Sequence, residues 1–428
     1  MSIKFGYASD KIPIKKNSYL SGYYPIRKCK GIHDSLYVKS NTFYDEKNGT
    51  YYFFVAIDVI GIDGVLKKVV EDMLANDVLD CSFNVFLSAT HTHSGPSGLI
   101  ETNKGFKTGL AEIFGEYDKE FNRLLSCTIV ATIKQSINNL TDFTYSLYQT
   151  SIEGVGLDRH NPKDPIDSLL ALIELETKEN QRIGIVNYSC HPTVLSHENK
   201  DISADYLFEF YNQSEGEFNQ ISFVNGSSAN ISTRFTRTEQ SFHQAKIFGE
   251  SLYKQLIKKT NTLIEKKVLN KIEVRNYSTK LKTKDLIGIS VEQLNNEIAD
   301  LSKKEDSCQS SKERRLLSAK VEGLRTTINM KEALKNTQEI DVHYTIVQFG
   351  YVFLVLLPAE ITSELTKNIR QKHQCLIFSL TNDYLFYLVE EEKYVDNTYE
   401  AQSSFFAKGE AEKLLRAIDE QLETFSNR

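Results

Sequence analysis

Apolar residues form short strand-like runs and helical repeats that alternate along the first hundred positions. The run Tyr51–Asp58 is aromatic and β-branched almost throughout, which is typical of a buried strand. Val65–Leu74 then reads as a helix, and Phe83–Thr90 is a second strand-like run. Because strands that alternate with helices are typical of layered folds, we predict an α/β fold of mixed β-sheets flanked by helices.

The rest of the chain predicts further elements of both kinds. We predict helices over Glu112–Asn138 and Phe242–Leu263, a β-hairpin of Leu169–Glu176 and Ile183–Tyr188, and strands at Thr345–Phe349 and Tyr351–Leu357.

Residues 290–336 differ from their surroundings. Ser290 and Gln293 match a helix-start capping box, and apolar residues then recur every three or four positions on both sides of a polar break. This pattern predicts two amphipathic helices in a hairpin. We expect residues 1–428 to form a single catalytic domain, with 290–336 a helical hairpin insertion that holds no catalytic residues.

Charge and composition exclude several partners and locations. The formal net charge is -6, with basic and acidic residues intermixed, so we expect no nucleic-acid partner. The longest strongly apolar run, Tyr351–Pro358, is too short for a transmembrane segment, and the N-terminus lacks the apolar core of a signal peptide. These features predict a cytoplasmic protein.

The six cysteines are widely spaced and form no Cys-x-x-Cys pair. Such spacing in a long chain favours reduced thiols over a disulfide framework. A metal site would therefore use histidine, carboxylate or tyrosine side chains.

His91 and His93 follow the second strand-like run, in the stretch Thr-His-Thr-His-Ser-Gly-Pro at positions 90–96. Side chains two residues apart on a strand point to the same face, and the Ser-Gly-Pro sequence predicts a turn. Imidazole is a favoured zinc ligand, so the pair is a candidate metal or catalytic site. The alternative is a pair of structural histidines with satisfied hydrogen bonds.

Three further segments place reactive side chains after apolar runs. His191 ends the strand-like run that starts at Ile183, and Glu360 follows the run that closes at Pro358. Glu360 is either a buried functional carboxylate or a residue of the first turn of a helix over Ile361–Arg370. A tyrosine-rich segment follows, whose residues alone would suggest half-buried packing: Tyr384, Tyr387, Tyr394 and Tyr399.

Taken together, these motifs resemble those of the neutral (non-lysosomal) ceramidases. The stretch at 90–96 is similar to the most distinctive motif of that family, and Cys-His-Pro-Thr at 190–193 is similar to its second histidine motif. Leu-Pro-Ala-Glu-Ile-Thr at 357–362 and the spacing of the late tyrosines also match, as do Gly22-Tyr23, Gly31-Ile32-His33, Leu157-x-Arg159 and Asn225-Gly through Ile231-Ser232. The matches occur in order from about residue 20 to residue 405.

This resemblance implies one Zn²⁺ per chain, with ligands at His91, His191, Glu360 and Tyr387. It also implies contacts with substrate from Gly22, His93, Arg159 and Tyr399, and catalytic roles for the last three of these. Ser232 corresponds to a serine assigned in the family as a possible nucleophile. Bound zinc would lower the pKa of a water molecule and polarise the scissile carbonyl, so we favour zinc-activated water over Ser232.

One family motif differs in this chain. The usual Gly-Asp-x-Ser-Pro is here Ala-Asn-Ile-Ser-Thr at positions 229–233, so a carboxylate is replaced by the amide of Asn230. Three functions therefore stay open. The first is a ceramidase that cleaves N-acylsphingosine to fatty acid and sphingoid base. The second is a zinc amidohydrolase acting on a soluble N-acyl amine or peptide-like amide, and the third is a catalytically inactive binding protein.

Overall fold

The computed structural model describes residues 2–15, 17–259 and 263–426. The strands are β1 (Ile3–Lys11), β2 (Tyr19–Leu20), β3 (Arg27–Lys28), β4 (Gly31–Ile32), β5 (Tyr37–Asp45), β6 (Thr50–Ile57), β7 (Ser82–Ala89), β8 (Phe143–Ser151), β9 (Leu157–Asp158), β10 (Leu169–Thr177), β11 (Arg182–Tyr188), β12 (Asp201–Ile202), β13 (Gln220–Asn225), β14 (Ile231–Ser232), β15 (Leu263–Lys267), β16 (Ile272–Lys282), β17 (Glu339–Phe349), β18 (Val352–Leu356), β19 (Glu360–Ile361), β20 (Cys375–Phe378) and β21 (Tyr387–Leu388). The helices are α1 (Gly64–Asp77), α2 (Ala111–Phe114), α3 (Lys119–Asn138), α4 (Tyr206–Ser214), α5 (Phe242–Lys259), α6 (Val291–Ser307), α7 (Ser311–Ala333), α8 (Ser363–His373), α9 (Glu391–Val395), α10 (Tyr399–Ser403) and α11 (Glu410–Ser426), with a 3₁₀ turn at Gly105–Lys107.

Three mixed sheets organise these elements. The N-terminal sheet has the order β1-β5-β6-β7, the central sheet β13-β11-β10-β8-β15, and the C-terminal sheet β16-β17-β18-β20. Each combines antiparallel pairs with one parallel pair, which is β6–β7, β11–β13 and β18–β20 respectively. The predicted fold class of mixed sheets flanked by helices is therefore confirmed.

Each parallel pair ends close to the candidate site. His91 lies just after β7, His191 just after β11, and Glu360 four residues after β18. Hydrogen bonds between the sheets fix these ends: Ala89 N donates to Leu380 O at 3.0 Å, and Asn187 Nδ2 donates to Ile377 O at 2.9 Å. The carboxyl ends of parallel strands are a common ligand-binding position, because the loops that follow them share one edge.

Most predicted strands lie where the apolar runs placed them, but two helices differ. The helix predicted over Glu112–Asn138 is wrong as one element, because Gly115 has a φ of 81° and breaks it into α2 and α3. Asp118 then caps α3 by accepting from Phe121 N. The helix predicted from Phe242 ends at Lys259 as α5; residues 260–262 lie outside the described residues, and Leu263 begins β15.

Two helices, α6 and α7, occupy the segment predicted as a hairpin. Both are capped by serine, with Ser290 accepting from Gln293 N and Ser310 from Glu313 N. They bury a small apolar cluster of their own, centred on Ile298, Val321 and Leu324. Outside α6, helix α7 contacts α10 and the 3₁₀ turn. That this pair is an insertion, and that residues 1–428 form one domain, stay predictions.

All six cysteines are free. Within the described ranges, we find no helix with the length and apolar character needed to cross a membrane.

Aromatic packing joins the three sheets. Phe349 of β17 lies 5.1 Å from the Phe43 ring of β5, 6.2 Å from Phe54 of β6 and 5.8 Å from Tyr145 of β8, between ring centroids. Its side chain is 1% exposed, so it contributes both apolar burial and ring contacts to this junction.

We therefore expect Phe349→Ala to lower the free energy of unfolding by about 3–5 kcal/mol, because it removes a buried ring and leaves a cavity. Urea unfolding followed by circular dichroism measures the change. The control is Ile287→Ala, at a side chain that is 79% exposed, where we expect a change within about 0.5 kcal/mol. Equal effects of the two variants would contradict this account of the junction.

Candidate active site

Three imidazoles converge where the parallel strand pairs end. His91, His93 and His191 each place one ring nitrogen within 4.8 Å of the others. His91 and His191 are 1% and 0% exposed. The Nε2 atoms of His91 and His93 lie 3.2 Å apart. The sequence predicts catalytic and substrate-binding roles for His93, and the structure also makes it a member of this candidate metal-binding group.

Backbone carbonyls orient two of the rings. His91 Nδ1 lies 2.6 Å from Ile60 O, and His191 Nδ1 lies 3.0 Å from Ile231 O. Because a carbonyl oxygen can only accept, each Nδ1 carries a hydrogen, and Nε2 of the neutral ring presents a lone pair. His91 also has a φ of 72°, an unfavourable region for a residue with a Cβ. Such strain is often found at functional sites.

Glu360 supplies a carboxylate to the same point. It is 0% exposed, and its Oε2 lies 2.8 Å from His191 Nε2 and 3.3 Å from His91 Nε2. Burial alone would raise the pKa of Glu360, but protonated His91 and His191 would outweigh it and hold the pKa well below its usual range. Because the Nε2 atoms of the neutral rings carry no hydrogen, an ionised Glu360 requires a cation at this point to supply the same positive charge.

Glu360 lies in strand β19 and not in a helix. Its backbone pairs in parallel with Tyr387 of β21, and helix α8 begins three residues later at Ser363. The alternative that placed Glu360 in the first turn of a helix is therefore wrong. The strand pairing turns the carboxylate inward, towards the histidines.

This donor set fits a metal cation. Both ring nitrogens of His191 face acceptors, namely Ile231 O and the Glu360 carboxylate, yet a neutral imidazole has a single N–H. Burial lowers the pKa of His191, so the doubly protonated ring that would satisfy both contacts is disfavoured. A cation between the nitrogens and the carboxylate removes this conflict.

Tyr384 completes the surroundings of Glu360. Its hydroxyl donates to Glu360 Oε1 at 2.5 Å. Sequence reasoning placed Tyr384 in the tyrosine-rich segment but gave it no role. The proximity depends on the β19–β21 pairing, which no local pattern indicates.

Tyr387 and Arg159 form a second, adjacent group. Arg159 Nη2 lies 3.3 Å from the Tyr387 hydroxyl, and its guanidinium lies 5.2 Å from the Tyr399 ring centroid. Burial, followed by the charge of Glu360, raises the pKa of Tyr387 well above its usual value, although Arg159 opposes this. Tyr387 is therefore a neutral phenol in the absence of a cation. Its assignment as a metal ligand stays a prediction.

A buried carboxylate fixes Arg159. Its Nε donates to Glu400, whose other oxygen lies 2.5 Å from His160 Nε2. Burial alone would lower the pKa of Arg159, but Glu400 and then Tyr387 raise it well above the usual value. Glu400 and His160 were not predicted as site residues, and they lie about 240 positions apart along the chain.

Gly22 is required by the position of His93. It has a φ of 97°, and a Cβ built there would lie 2.6 Å from His93 Cγ. A larger residue would displace the ring, which explains why this glycine belongs to the site.

Ser232 lies in the same cavity but does not contact the histidines. It is 5% exposed, and the hydrogen bond found for its Oγ comes from Arg234 N at 3.3 Å. Among the contacts found in the described ranges, none joins this hydroxyl to a base that would activate it. Its role as a nucleophile stays a prediction.

Asn230 departs from the family motif, and both the nitrogen and the oxygen of its side-chain amide form hydrogen bonds. Its Nδ2 donates to Asp158 Oδ2 at 2.7 Å, and its Oδ1 accepts from Ser363 N at 2.9 Å. An aspartate here would place a second carboxylate against Asp158. The amide therefore suits this chain, and it ties β9, β14 and the start of α8 together.

We expect Asn230→Asp to lower stability by about 1–3 kcal/mol at pH 7.5, because the new carboxylate faces Asp158 without a proton between them. The introduced carboxyl group should have a raised pKa. The penalty should therefore be small near the unfolded pKa of about 4, where both states are largely protonated, grow as the pH rises towards the raised folded pKa, and be complete above it.

Urea unfolding at pH 4.0 and pH 7.5 measures this effect. Asn48→Asp is the matched control, because Asn48 Nδ2 also donates to a carboxylate, Asp45 Oδ2, at 2.7 Å, but in an exposed turn. A pH-independent loss in Asn230→Asp, or the same loss in Asn48→Asp, would contradict the explanation.

Comparison with known proteins agrees with this fold. The structure of a neutral ceramidase from Pseudomonas aeruginosa superposes with a TM-score of 0.78 and 16% identity, covering 100% of this chain and 75% of that one. A structure described as a ceramidase complexed with C2 gives a TM-score of 0.76 and 17% identity, covering 100% and 76%. The chain thus has the fold of the neutral ceramidases.

The sequence comparisons then identify the family. The profile of neutral/alkaline non-lysosomal ceramidases, N-terminal part, matches residues 15–233, just over half of the chain. The protein belongs to this family. Neutral ceramidase of Drosophila pseudoobscura pseudoobscura is 26% identical over 202 residues, and neutral ceramidase B of Dictyostelium discoideum is 26% identical over 215. These alignments span 43% and 44% of this chain, but only 28% and 29% of the relatives.

Proposed function

We propose that the protein is a zinc-dependent hydrolase of carbon–nitrogen amide bonds. The observation that carries this proposal is the convergence of the His91 and His191 Nε2 atoms on the Glu360 carboxylate, with each Nδ1 held by a backbone carbonyl. Two imidazoles and a carboxylate are a common ligand set of catalytic zinc. Membership of the ceramidase family supports amide bonds as the target.

The chain's own residues suit amide hydrolysis. His91, His191 and Glu360 would hold the ion, with Tyr387 a candidate fourth ligand. Zinc held there would supply Lewis-acid polarisation of the amide carbonyl and lower the pKa of an attacking water. Arg159, kept charged by Glu400, is placed to stabilise negative charge that develops on the carbonyl oxygen.

His93 is suited to proton transfer. Burial, together with the charges of His91 and His191, lowers the pKa of His93 well below its usual value, so the ring is neutral near pH 7. Its Nδ1 is buried and has no hydrogen-bond partner among the residues that the structure describes. A neutral imidazole can take a proton from water and return it to the departing nitrogen. We assign this role to His93, and contact with the substrate to Gly22 and Tyr399.

The substrate named by the family is an N-acylsphingosine, and the second candidate is a soluble N-acyl amine. The cavity favours the second, because the described residues that line it include five arginines and no leucine, isoleucine, valine, methionine or phenylalanine, and its apolar surface comes mainly from Tyr23, Tyr387, Tyr399 and Ala319. A long acyl chain gains its binding free energy from apolar walls. A non-catalytic binding protein is disfavoured, because the change at Asn230 is compensated by its own hydrogen bonds. A cytoplasmic location remains part of the proposal.

We expect about one zinc ion per chain, measured by elemental analysis after purification without a metal-affinity tag. His191→Ala and Glu360→Gln should each lose most of it, since each removes a donor from a buried site. His343→Ala, at an exposed histidine on β17, should retain it. A protein that contains no zinc and takes up none on addition would refute the proposal.

Tyr387→Phe tests the adjacent group. We expect kcat for amide cleavage to fall by about 10²-fold, because the variant loses one polar group next to the reacting carbonyl. Zinc content separates the two roles: a loss of zinc makes Tyr387 a ligand, and retained zinc makes it a hydrogen-bond donor. Tyr19→Phe, at a tyrosine that is 46% exposed, is the control and should leave both quantities unchanged.

A further inference from the structure

The cavity above the histidines is rich in arginine. It has a volume of about 270 Å³, and five guanidinium groups line it, those of Arg159, Arg234, Arg237, Arg314 and Arg315. This volume is near the lower end of ligand pockets, which are roughly 300–1,000 Å³. Three larger cavities, of about 450, 970 and 510 Å³, have no histidine among their lining residues, and a fourth, of about 280 Å³, is lined by His33 and His243, away from this site.

Some of these positive charges are compensated within the protein. Arg159 pairs with Glu400, and Arg315 Nη1 lies 2.9 Å from Glu322 Oε1. Both carboxylates are therefore already engaged. Glu305 is the other acidic residue that lines the cavity.

Arg234 and Arg237 lack such partners. Arg234 Nη1 donates to Arg159 O at 2.8 Å. Arg237 Nη1 donates to Thr193 O and lies 3.3 Å from Thr233 Oγ1. No ion pair with a carboxylate is found for either guanidinium within the described ranges. Each is held in place by neutral acceptors, and nearby carboxylates, Glu400 and Glu322 for Arg234 and Asp205 for Arg237, offset its charge only from a distance.

Incompletely balanced charge at this depth is unfavourable in the free protein. Burial, followed by the nearby charges of Arg315 and Arg159, lowers the pKa of Arg234 to about 9. Burial likewise lowers the pKa of Arg237. An anion that enters the cavity would reverse this cost, because guanidinium groups bind carboxylate and phosphate oxygens in bidentate geometry.

Helix α7 contributes to the same wall. Arg315 and Glu322 lie on α7, which packs on α10, the helix that carries Tyr399 and Glu400. The helical pair α6–α7 therefore forms one side of the cavity. The prediction that residues 290–336 hold no catalytic residues is untested, but these residues do line the site.

We propose that this site hydrolyses small amides that carry a carboxylate or phosphate group, and that Arg234 and Arg237 bind this anionic group. The inference rests on the proposed amide hydrolysis and names its substrate class. Water adds across the C–N bond: its oxygen bonds to the carbonyl carbon, and the nitrogen leaves as an amine after taking up a proton. No oxidant, reductant or further reactant is required.

Matched substrates test the proposal. The zinc-loaded wild type is assayed on N-acetylglycine against N-acetylglycinamide, and on N-acetylethanolamine phosphate against N-acetylethanolamine. We expect kcat/KM to be at least about tenfold higher for the anionic member of one pair, and the preferred pair identifies carboxylate or phosphate. Added salt should reduce this preference, because it screens the charge interaction.

Variants of the arginines locate the effect. Arg237→Gln should lower the anionic preference about tenfold or more, and Arg237→Lys should retain part of it because the charge remains. Arg416→Gln, at an exposed arginine on α11, is the matched control and should keep the wild-type preference. Thermal unfolding and zinc content are measured for each variant, so that misfolding is recognised. If Arg237→Gln does not fold, Arg237→Lys and the salt dependence still decide.

The outcomes separate this inference from the proposed function. If neutral amides or micellar short-chain N-acylsphingosine are cut as fast as the anionic partners, the inference is overturned while amide hydrolysis stands. If no amide is cut, the proposed hydrolysis fails, and calorimetric titration with inorganic phosphate and N-acetylglycine tests anion binding alone. Binding that weakens about tenfold in Arg237→Gln supports the anion site, and absence of binding overturns it.

Discussion

A carboxylate that is fully buried is the constraint on which the site depends. Glu360 can remain charged at that depth while positive or hydrogen-donating groups surround it. The fold meets this requirement by ending a parallel strand pair of each of three sheets at the same point. One sheet brings His91, another His191, and the third brings Glu360 itself. The packing of the three sheets against one another therefore also brings the candidate site residues together.

The strands that lead to the site were predictable, since each is a continuous apolar run followed by a turn or a proline. Strands β6, β7 and β11 lie within one or two residues of their predicted bounds. The prediction of one long helix over 112–138 was wrong because the apolar residues keep a helical spacing on both sides of Gly115, so the spacing does not reveal the break there. The secondary structure at Glu360 was ambiguous because a strand of two residues is too short to show an alternation of apolar and polar positions.

Contacts between distant segments account for what the sequence did not reveal. The family motifs named His91, His191 and Glu360, but not the contact of Tyr384 with the carboxylate or that of Glu400 with Arg159. From the sequence alone, Asn230 is a lost carboxylate; in the structure its amide donates a hydrogen bond to the neighbouring Asp158 carboxylate. A local motif indicates which residue types are present. The charges that surround them come from residues far away along the chain: Glu400 and Asp158 each lie more than 70 positions from the residue they contact, and Tyr384 is the exception.

Because α6–α7 forms one wall of the cavity, the residues that shape the cavity and the candidate metal ligands lie in different segments of the chain. The candidate metal ligands lie at strand ends of all three sheets, but one wall of the cavity comes from a continuous segment with its own small apolar cluster. Substitutions in this segment can therefore change which molecules fit the cavity without replacing any candidate metal ligand, because those ligands all lie on other elements.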